Sequence, residues 1–317
     1  MSAARTPVTS VGIDIGGTKT RIVATGDGPT IDLTFASASW RGSATFPDAQ
    51  NVVRLARLVH EHLAVDGSTR MAVGLHGGDT AEILDTTRRV LTAELGAEVL
   101  VVNDAELLGP AAGERHCIRM IAGTGAVVLG TRADGSVLSA DGYSWLLGDF
   151  GSGAGLVRES LRAVLEGYDA GTLGGDPLLR LLLQAFEAHD PAHLSVRATQ
   201  HAGADAWGAH APQVFTAWHQ GSATADRVIE AAAARLATGV AGVLGRGAVA
   251  TSIVAAGGVV VHQPAFVERV RSALAVREVD LPLVVLTAAP VVGALRLAGD
   301  ARTVIAGTVP EPALPAV

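Results

Sequence analysis

Apolar residues fall along this chain in two periods. Val11 to Ile15 and Arg21 to Ala24 are short, largely apolar runs separated by Gly16-Gly17-Thr18-Lys19-Thr20, which predicts two strands joined by a glycine turn. Ile31 to Ala36 reads as a third strand. From Asp48 to Ala64 the spacing changes: Val52, Val53, Leu55, Ala56, Leu58, Val59 and Leu63 repeat on one helical face. Met71 to Leu75 is a short buried strand broken by His76-Gly77-Gly78-Asp79. Thr80 to Leu95 is a helix, Val99 to Val102 a strand, and Ala105 to Gly113 helical again. The order βββαβαβ predicts an α/β lobe.

The opening pattern then returns. Arg119 to Ala122 and Ala126 to Thr131 flank Gly123-Thr124-Gly125, and an Asp-Gly pair follows each hairpin, Asp27-Gly28 and Asp134-Gly135. Such internal repetition predicts a second lobe opening on its own strand, glycine turn and strand, with the two turns facing across a cleft. A helix at Ala154 to Leu165, an irregular helical stretch over about 167–221 and a long Ala-rich helix from Asp226 to Leu244 come next. Ser252 to Ala256 and Leu281 to Leu286 read as strands, Pro264 to Leu274 and Pro290 to Ala301 as helices, and the Pro-rich tail from Val309 as loose. The expected division is a first lobe over 1–108 and a second over 109–289, with the helix at 290–302 packing back on the first.

Composition narrows the class. With 317 residues, 49% hydrophobic and 17% charged, the chain can fill two cores. Aromatics are only 4% and glycines number 38, so packing rests on small and branched aliphatics. Lys plus Arg total 24 against 31 Asp plus Glu, a net charge of −7 with no basic cluster, which argues against a nucleic-acid partner. The single cysteine, Cys117, excludes an internal disulfide and a Cys-based zinc site. The N-terminal stretch lacks an apolar segment behind its Arg, and no apolar run approaches bilayer length, so a cytoplasmic protein without a membrane partner is expected.

Candidate chemistry sits at the breaks. The turn Gly16-Gly17-Thr18-Lys19 can bring backbone N–H groups, a hydroxyl and an ammonium onto one phosphate; read blandly, it is an ordinary hairpin tip. It leads back into a strand, so it is not a Walker loop. Asp14, ending the first strand, would face the same space, where a Mg²⁺ accompanying a polyphosphate needs an oxygen ligand. Asp104 follows the strand 99–102 at the end where α/β sheets collect ligands; alternatively Asp104 or Asn103 only caps the next helix. The run from Asp141 to Gly153 mixes glycines, rings and carboxylates, as sugar sites do, or is a surface loop. Gly257-Gly258, ending a strand, lets a flat ring system lie against the backbone.

The order of these pieces is specific: Asp-x-Gly-Gly-Thr-Lys-Thr, Asn-Asp-Ala, Gly-Thr-Gly, Leu-Gly-Asp-x-Gly-Ser-Gly and Ala-Gly-Gly-Val. From about residue 10 to 302 the chain resembles the sugar kinase, hsp70 and actin superfold. Within it, the chain is most similar to the BadF/BadG/BcrA/BcrD-type ATPase family, in particular the N-acetylglucosamine kinases. The resemblance implies an α/β, two-lobed, ribonuclease H-like fold with a central cleft. It also implies an ATP- and Mg²⁺-dependent kinase acting on an amino sugar, through its 6-hydroxyl, and a homodimer. By resemblance Gly16, Gly17, Thr18 and Lys19 form the first phosphate turn, Gly123, Thr124 and Gly125 the second, and Gly257 and Gly258 the adenosine motif. Asp14 holds Mg²⁺, and Asp104 is the catalytic base and a sugar contact, with Gly77, Gly78, Gly142, Tyr143, Ser144 and Asp149 around the sugar.

Four departures from that family stand out. Tyr143 replaces a customary Trp, Phe150 a Glu, and His76 a small residue, and the Ala38-Ser39-Trp40-Arg41 region lacks an expected Asn. Three other readings stay open. One is a dehydratase-activating ATPase with an iron–sulfur cluster, for which a dimer with two thiolates has too few ligands. Another is a ROK kinase, whose zinc motif is absent. The last is a nucleotide or sugar sensor without turnover.

Overall fold

The structure is a computed structural model that describes residues 7–17, 19–42 and 48–305. By its contacts the chain forms two compact units, one running up to Arg115 and resuming at Leu286, the other comprising His116–Val285.

The first unit opens with the antiparallel strands β1 (Ser10–Ile15), β2 (Lys19–Thr25) and β3 (Ile31–Ala36). A single helical turn, α1 (Ser37–Trp40), follows, absent from the sequence-based expectation because four residues carry no period. Helix α2 (Ala49–His62) is capped by the Asp48 side chain on the Gln50 amide, and α3 (Ala81–Leu95) by Thr80 on Ile83. Between and after them, β4 (Arg70–Leu75) and β5 (Glu98–Asn103) add to the sheet in parallel, giving the order β3-β2-β1-β4-β5. Val11, Ile13 and Ile15 are buried in one core with Leu55 and Val59 of α2 and Leu91 of α3. A 3₁₀ turn (Asp104–Leu107) and α4 (Leu108–Ala112) complete this part of the chain.

The second unit repeats the plan. Strands β6 (Cys117–Ala122), β7 (Ala126–Thr131) and β8 (Val137–Asp141) run antiparallel, while β9 (Ser252–Ala256) and β10 (Leu283–Val285) add in parallel, in the order β10-β9-β6-β7-β8. The repetition seen as two glycine hairpins therefore extends to a whole five-stranded sheet. Strand β8 escapes sequence reading because only Leu138 of it is buried, so the edge strand shows no apolar run.

Within the unit, α5 (Ser144–Leu147) is one turn inside the expected loop, and α6 (Gly153–Asp169) is capped by Ser152. The helical stretch resolves into α7 (Pro177–Ala185), α8 (Pro191–Gln200), α9 (Ala204–Gly208) and α10 (Ala211–His219).

Helix α11 (Ala223–Gly245) corrects the expectation about apolar runs, because by length and composition it could cross a bilayer. The charged side chains of Asp226, Arg227, Glu230 and Arg235 mask it in sequence. Its apolar face is filled by the unit's own core: Val228, Ala232, Leu236, Val240 and Val243 pack with Met120 and Val128. Helices α12 (Gly258–His262) and α13 (Pro264–Val276) follow β9. Finally α14 (Val291–Ile305) returns to the first unit, where Val291, Ala294 and Ala298 are buried and the helix lies on β1 and β4.

Candidate active site

In the first unit, register decides which residues meet. Ile15 pairs with Leu75 and Leu75 with Asn103, so β1, β4 and β5 end level at their carboxyl termini. The residues that follow, Gly16-Gly17, His76-Gly77-Gly78 and Asp104, therefore share one rim of the sheet. The Gly16 amide closes the hairpin on the Lys19 carbonyl at 2.8 Å, and Lys19 itself is exposed. Thr18 lies outside the described residues.

Sequence reasoning missed what holds this turn from behind. The Gly16 carbonyl accepts hydrogen bonds from Ser37 Oγ at 3.0 Å and from an Arg41 guanidinium nitrogen at 2.9 Å. The segment that lacks the expected Asn thus supplies two donors to the turn. A buried chain behind Ser37, in which Trp40 Nε1 donates to Thr20 Oγ1, orders it.

Asp14 shares the rim. Burial, reinforced by the charge of Asp104 and partly offset by Arg21 and His76, pushes its carboxyl up to about 6. Asn103 takes the capping role: its Oδ1 accepts the Ala105 amide at 3.0 Å, and its Nδ2 donates to the Gly78 carbonyl and to Asp79. Asp104 Oδ1 shares the Ala105 amide at 2.9 Å, while Oδ2 accepts from His76 Nδ1 at 3.1 Å. That bond to Asp104 raises the His76 imidazole above its ordinary range against the opposing effect of burial. Among the described residues no group of three or more His, Cys, Asp or Glu could cage a metal ion. The donor set at Asp14 and Asp104 suits a cation carried mainly by phosphates and water.

In the second unit, Ile121 of β6 pairs with Ala256 of β9, which brings Gly123-Thr124-Gly125 beside Gly257-Gly258. A Cβ on Gly123 would stand 3.5 Å from the Gly258 nitrogen. Beside these glycines opens a cavity of about 400 Å³, lined by Thr124, Phe215, Val259, His262 and Gln263 and by α9 and α10 residues. The part of that wall from Asp205 to Phe215 lies 80 to 90 residues after Gly125 and 42 to 52 before Gly257 in sequence, and no local signal marks it.

The loop after β8 is built on Asp141. Its carboxylate accepts the amides of Gly142, Asp149 and Phe150 at 2.8 to 2.9 Å. Arg158 of α6, nearly buried, donates to the carbonyls of Gly148, at 2.7 Å, and Trp145. Gly142, Tyr143 and Ser144 are exposed, Tyr143 at 68% and the neighbouring Leu147 at 76%, whereas Asp149 is buried at 8%. Burial and the Asp141 charge raise the Asp149 carboxyl. Phe150 lies between two guanidiniums, with Arg158 at 5.0 Å and Arg235 at 4.7 Å from its ring centroid. A packing role accounts for a ring where the resemblance implies a Glu.

Residues 11–298 match the BadF/BadG/BcrA/BcrD ATPase family. The chain belongs to this family. One curated relative is an N-acetylmuramic acid/N-acetylglucosamine kinase of Clostridium acetobutylicum, 29% identical over 190 residues, 56% of this chain. The match spans 61% of that relative's length. Among solved structures, a Chromobacterium violaceum protein assigned as an N-acetylglucosamine kinase superposes with a TM-score of 0.63 at 19% identity, covering 92% of this chain and 99% of that one. A ROK family glucokinase from Streptomyces griseus, solved with glucose and AMPPNP, gives 0.52 at 17% identity, covering 93% and 99%. Both show the same fold as this BadF-type chain, that of the sugar kinases.

Proposed function

We propose that this BadF-type ATPase transfers the terminal phosphate of ATP to an amino sugar, N-acetylglucosamine or glucosamine, at its 6-hydroxyl. The observation that carries the reading is the convergence of the Gly16-Gly17 turn, Asp14 and Asp104 on the carboxyl ends of three strands set level by register. The activity of the Clostridium relative supports the choice of an amino sugar.

In this reading the Gly17 amide and the Lys19 ammonium hold the terminal phosphates in the first unit, on a turn that the Gly16 amide closes. Gly123, Thr124 and Gly125 hold phosphate in the second. The cavity beside Gly257 and Gly258 takes the nucleoside, and its volume lies in the range of small-ligand sites. Mg²⁺ bound near Asp14 would neutralise charge on the phosphate oxygens. Asp14, reluctant to ionise on its own, would gain its charge in that company.

Gly77, Gly78 and Asp104 contact the sugar in the first unit. Gly142, Tyr143 and Ser144 are the second unit's candidate sugar residues, with Tyr143 offering a ring face and the buried Asp149 supporting the loop. Asp104 accepts the proton as the sugar oxygen forms its bond to the γ-phosphorus and the bond to the bridging oxygen breaks, releasing ADP. Phosphoryl transfer draws mostly on alignment and charge, and a positioned base adds about 10²–10⁴-fold.

Coupled ADP release against glucosamine, N-acetylglucosamine, N-acetylmuramate and glucose tests the reading. Turnover on an amino sugar that Asp104→Asn abolishes, with ATP affinity retained, is expected. ATP binding without turnover on any sugar would favour a sensor, a reading that the altered Tyr143, Phe150 and His76 positions keep open.

A further inference from the structure

The peptide between Gly16 and Gly17 is gripped by its oxygen. That carbonyl accepts from Ser37 Oγ at 3.0 Å and from an Arg41 guanidinium nitrogen at 2.9 Å. Ser37 and Arg41 stand four residues apart across α1, and the Arg41 amide closes that turn on the Ser37 carbonyl at 3.2 Å. One helical turn thus aims both side chains at one atom.

The serine proton has a fixed direction. Indole can only donate, so Trp40 Nε1 donates to Thr20 Oγ1 at 3.1 Å. Ser37 directs its single proton to Gly16, so the Thr20 hydroxyl donates to Ser37 Oγ, 3.0 Å away. The chain runs from Trp40 through Thr20 and Ser37 to Gly16, and its three side chains are buried. Each bond in such a chain polarises the next.

A trans peptide is planar, with its C=O and N–H on opposite edges. Fixing the Gly16 oxygen towards α1 therefore turns the Gly17 N–H to the other side of the turn. There Gly17 is exposed, and among the described residues its amide makes no hydrogen bond. With a glycine on either side of the bond, the plane would otherwise rotate at little cost and carry the N–H round to α1.

We propose that Ser37 and Arg41 are positioning residues that lock this peptide so that the Gly17 amide meets a terminal phosphate oxygen. The Arg41 cation, drawing on the carbonyl, also strengthens that amide as a donor. The inference rests on the ATP reading of the Gly16-Gly17 turn. The segment that lacks the Asn implied by the resemblance acts on the phosphate through the backbone of the turn.

Calorimetric titration of the full chain with AMPPNP and Mg²⁺, and with adenosine, compares the unaltered protein with Arg41→Met and Ser37→Ala. Arg41 is only half-buried, so its Met variant should melt close to the parent. It should bind AMPPNP about tenfold more weakly, the scale of one hydrogen bond to a charged group, and adenosine equally well. Ser37→Ala removes no charge and should weaken AMPPNP in the same direction, which separates the lock from simple loss of a cation. By NMR, AMPPNP should move the Gly17 amide proton downfield in the unaltered protein and by less in Arg41→Met, while adenosine leaves it in place. This signature decides the matter should Ser37→Ala fail to fold. Unchanged AMPPNP affinity in a folded variant, equal weakening of AMPPNP and adenosine, or a Gly17 resonance indifferent to AMPPNP would overturn the positioning role alone. Absence of AMPPNP binding to the unaltered protein would overturn the nucleotide reading and this lock with it.

Discussion

Asp149 Oδ2 stands 3.1 Å from the position that a Cβ on Gly125 would occupy. The same carboxylate accepts the Ala126 amide, so the loop after β8 and the second glycine turn are built against each other. Gly125→Ala forces the carboxylate to yield by a few tenths of an ångström and should cost about 1 kcal/mol. Combined with Asp149→Ala, that cost should largely vanish, giving a coupling of at least about 0.5 kcal/mol in a double-mutant cycle read by urea unfolding. Strictly additive effects would mean the two residues do not press on one another.

Asp141 ties the candidate sugar loop from within, through three backbone amides and a left-handed φ of 64°. Asp141→Ala would leave those amides unsatisfied and should destabilise the protein by about 2–4 kcal/mol, while raising the acceptor KM. Asp141→Asn, which keeps one acceptor oxygen and tolerates the backbone, should cost less than half as much. Denaturant unfolding alongside acceptor kinetics checks the order; an Ala variant as stable as the parent would rule out the staple.

Gly257 has φ 105°, and a Cβ there would strike the Ala122 carbonyl and lie 2.8 Å from the Gly123 nitrogen. Since both obstacles are backbone, Gly257→Ala should cost about 3 kcal/mol or more and separate the two glycine motifs. Gly242, exposed on α11 with nothing within 4 Å of its added methyl, is the contrast. Gly242→Ala should stabilise by about 0.5–1 kcal/mol. Thermal melting of both variants measures this, and equal melting temperatures would contradict it.

Asp14 makes folding depend on pH. Its carboxyl is raised from 3.8 to about 6 by burial and by Asp104, so the folded chain holds a proton that the unfolded chain has released. Stability from this group is greatest below about pH 4 and falls as pH rises to about 6, by on the order of 3 kcal/mol. Asp14→Asn should lack that fall and exceed the parent in stability above pH 6. Urea midpoints at pH 4 and pH 7 for both proteins decide it; parallel profiles would show that the carboxyl is not raised.

Much of this arrangement is legible in the chain. Short, largely apolar runs mark the strands of the first sheet, and a period of 3.6 marks α2 and α3, because burial forces those patterns whatever the neighbouring elements are. The glycine turns are equally local: only residues without a Cβ let the backbone close so sharply. Where burial is slight, as in β8, or the element is a single turn, as in α1, α5 and α12, periodicity has nothing to mark.

The candidate site divides in the same way. By itself the sequence determined the two glycine hairpins, Asp14 and Asp104 at strand ends, and the Asp141 to Gly153 loop of glycines, rings and carboxylates, since each is a contiguous pattern. Tertiary structure alone decided that His76 meets Asp104, that Arg41 and Ser37 hold Gly16, that Arg158 grips the loop at Gly148, and that α9 and α10 wall the cavity beside Gly258. These pairings join residues from 10 to 53 positions apart. Strand register and helix packing fix them, and neither is written in any one stretch of chain.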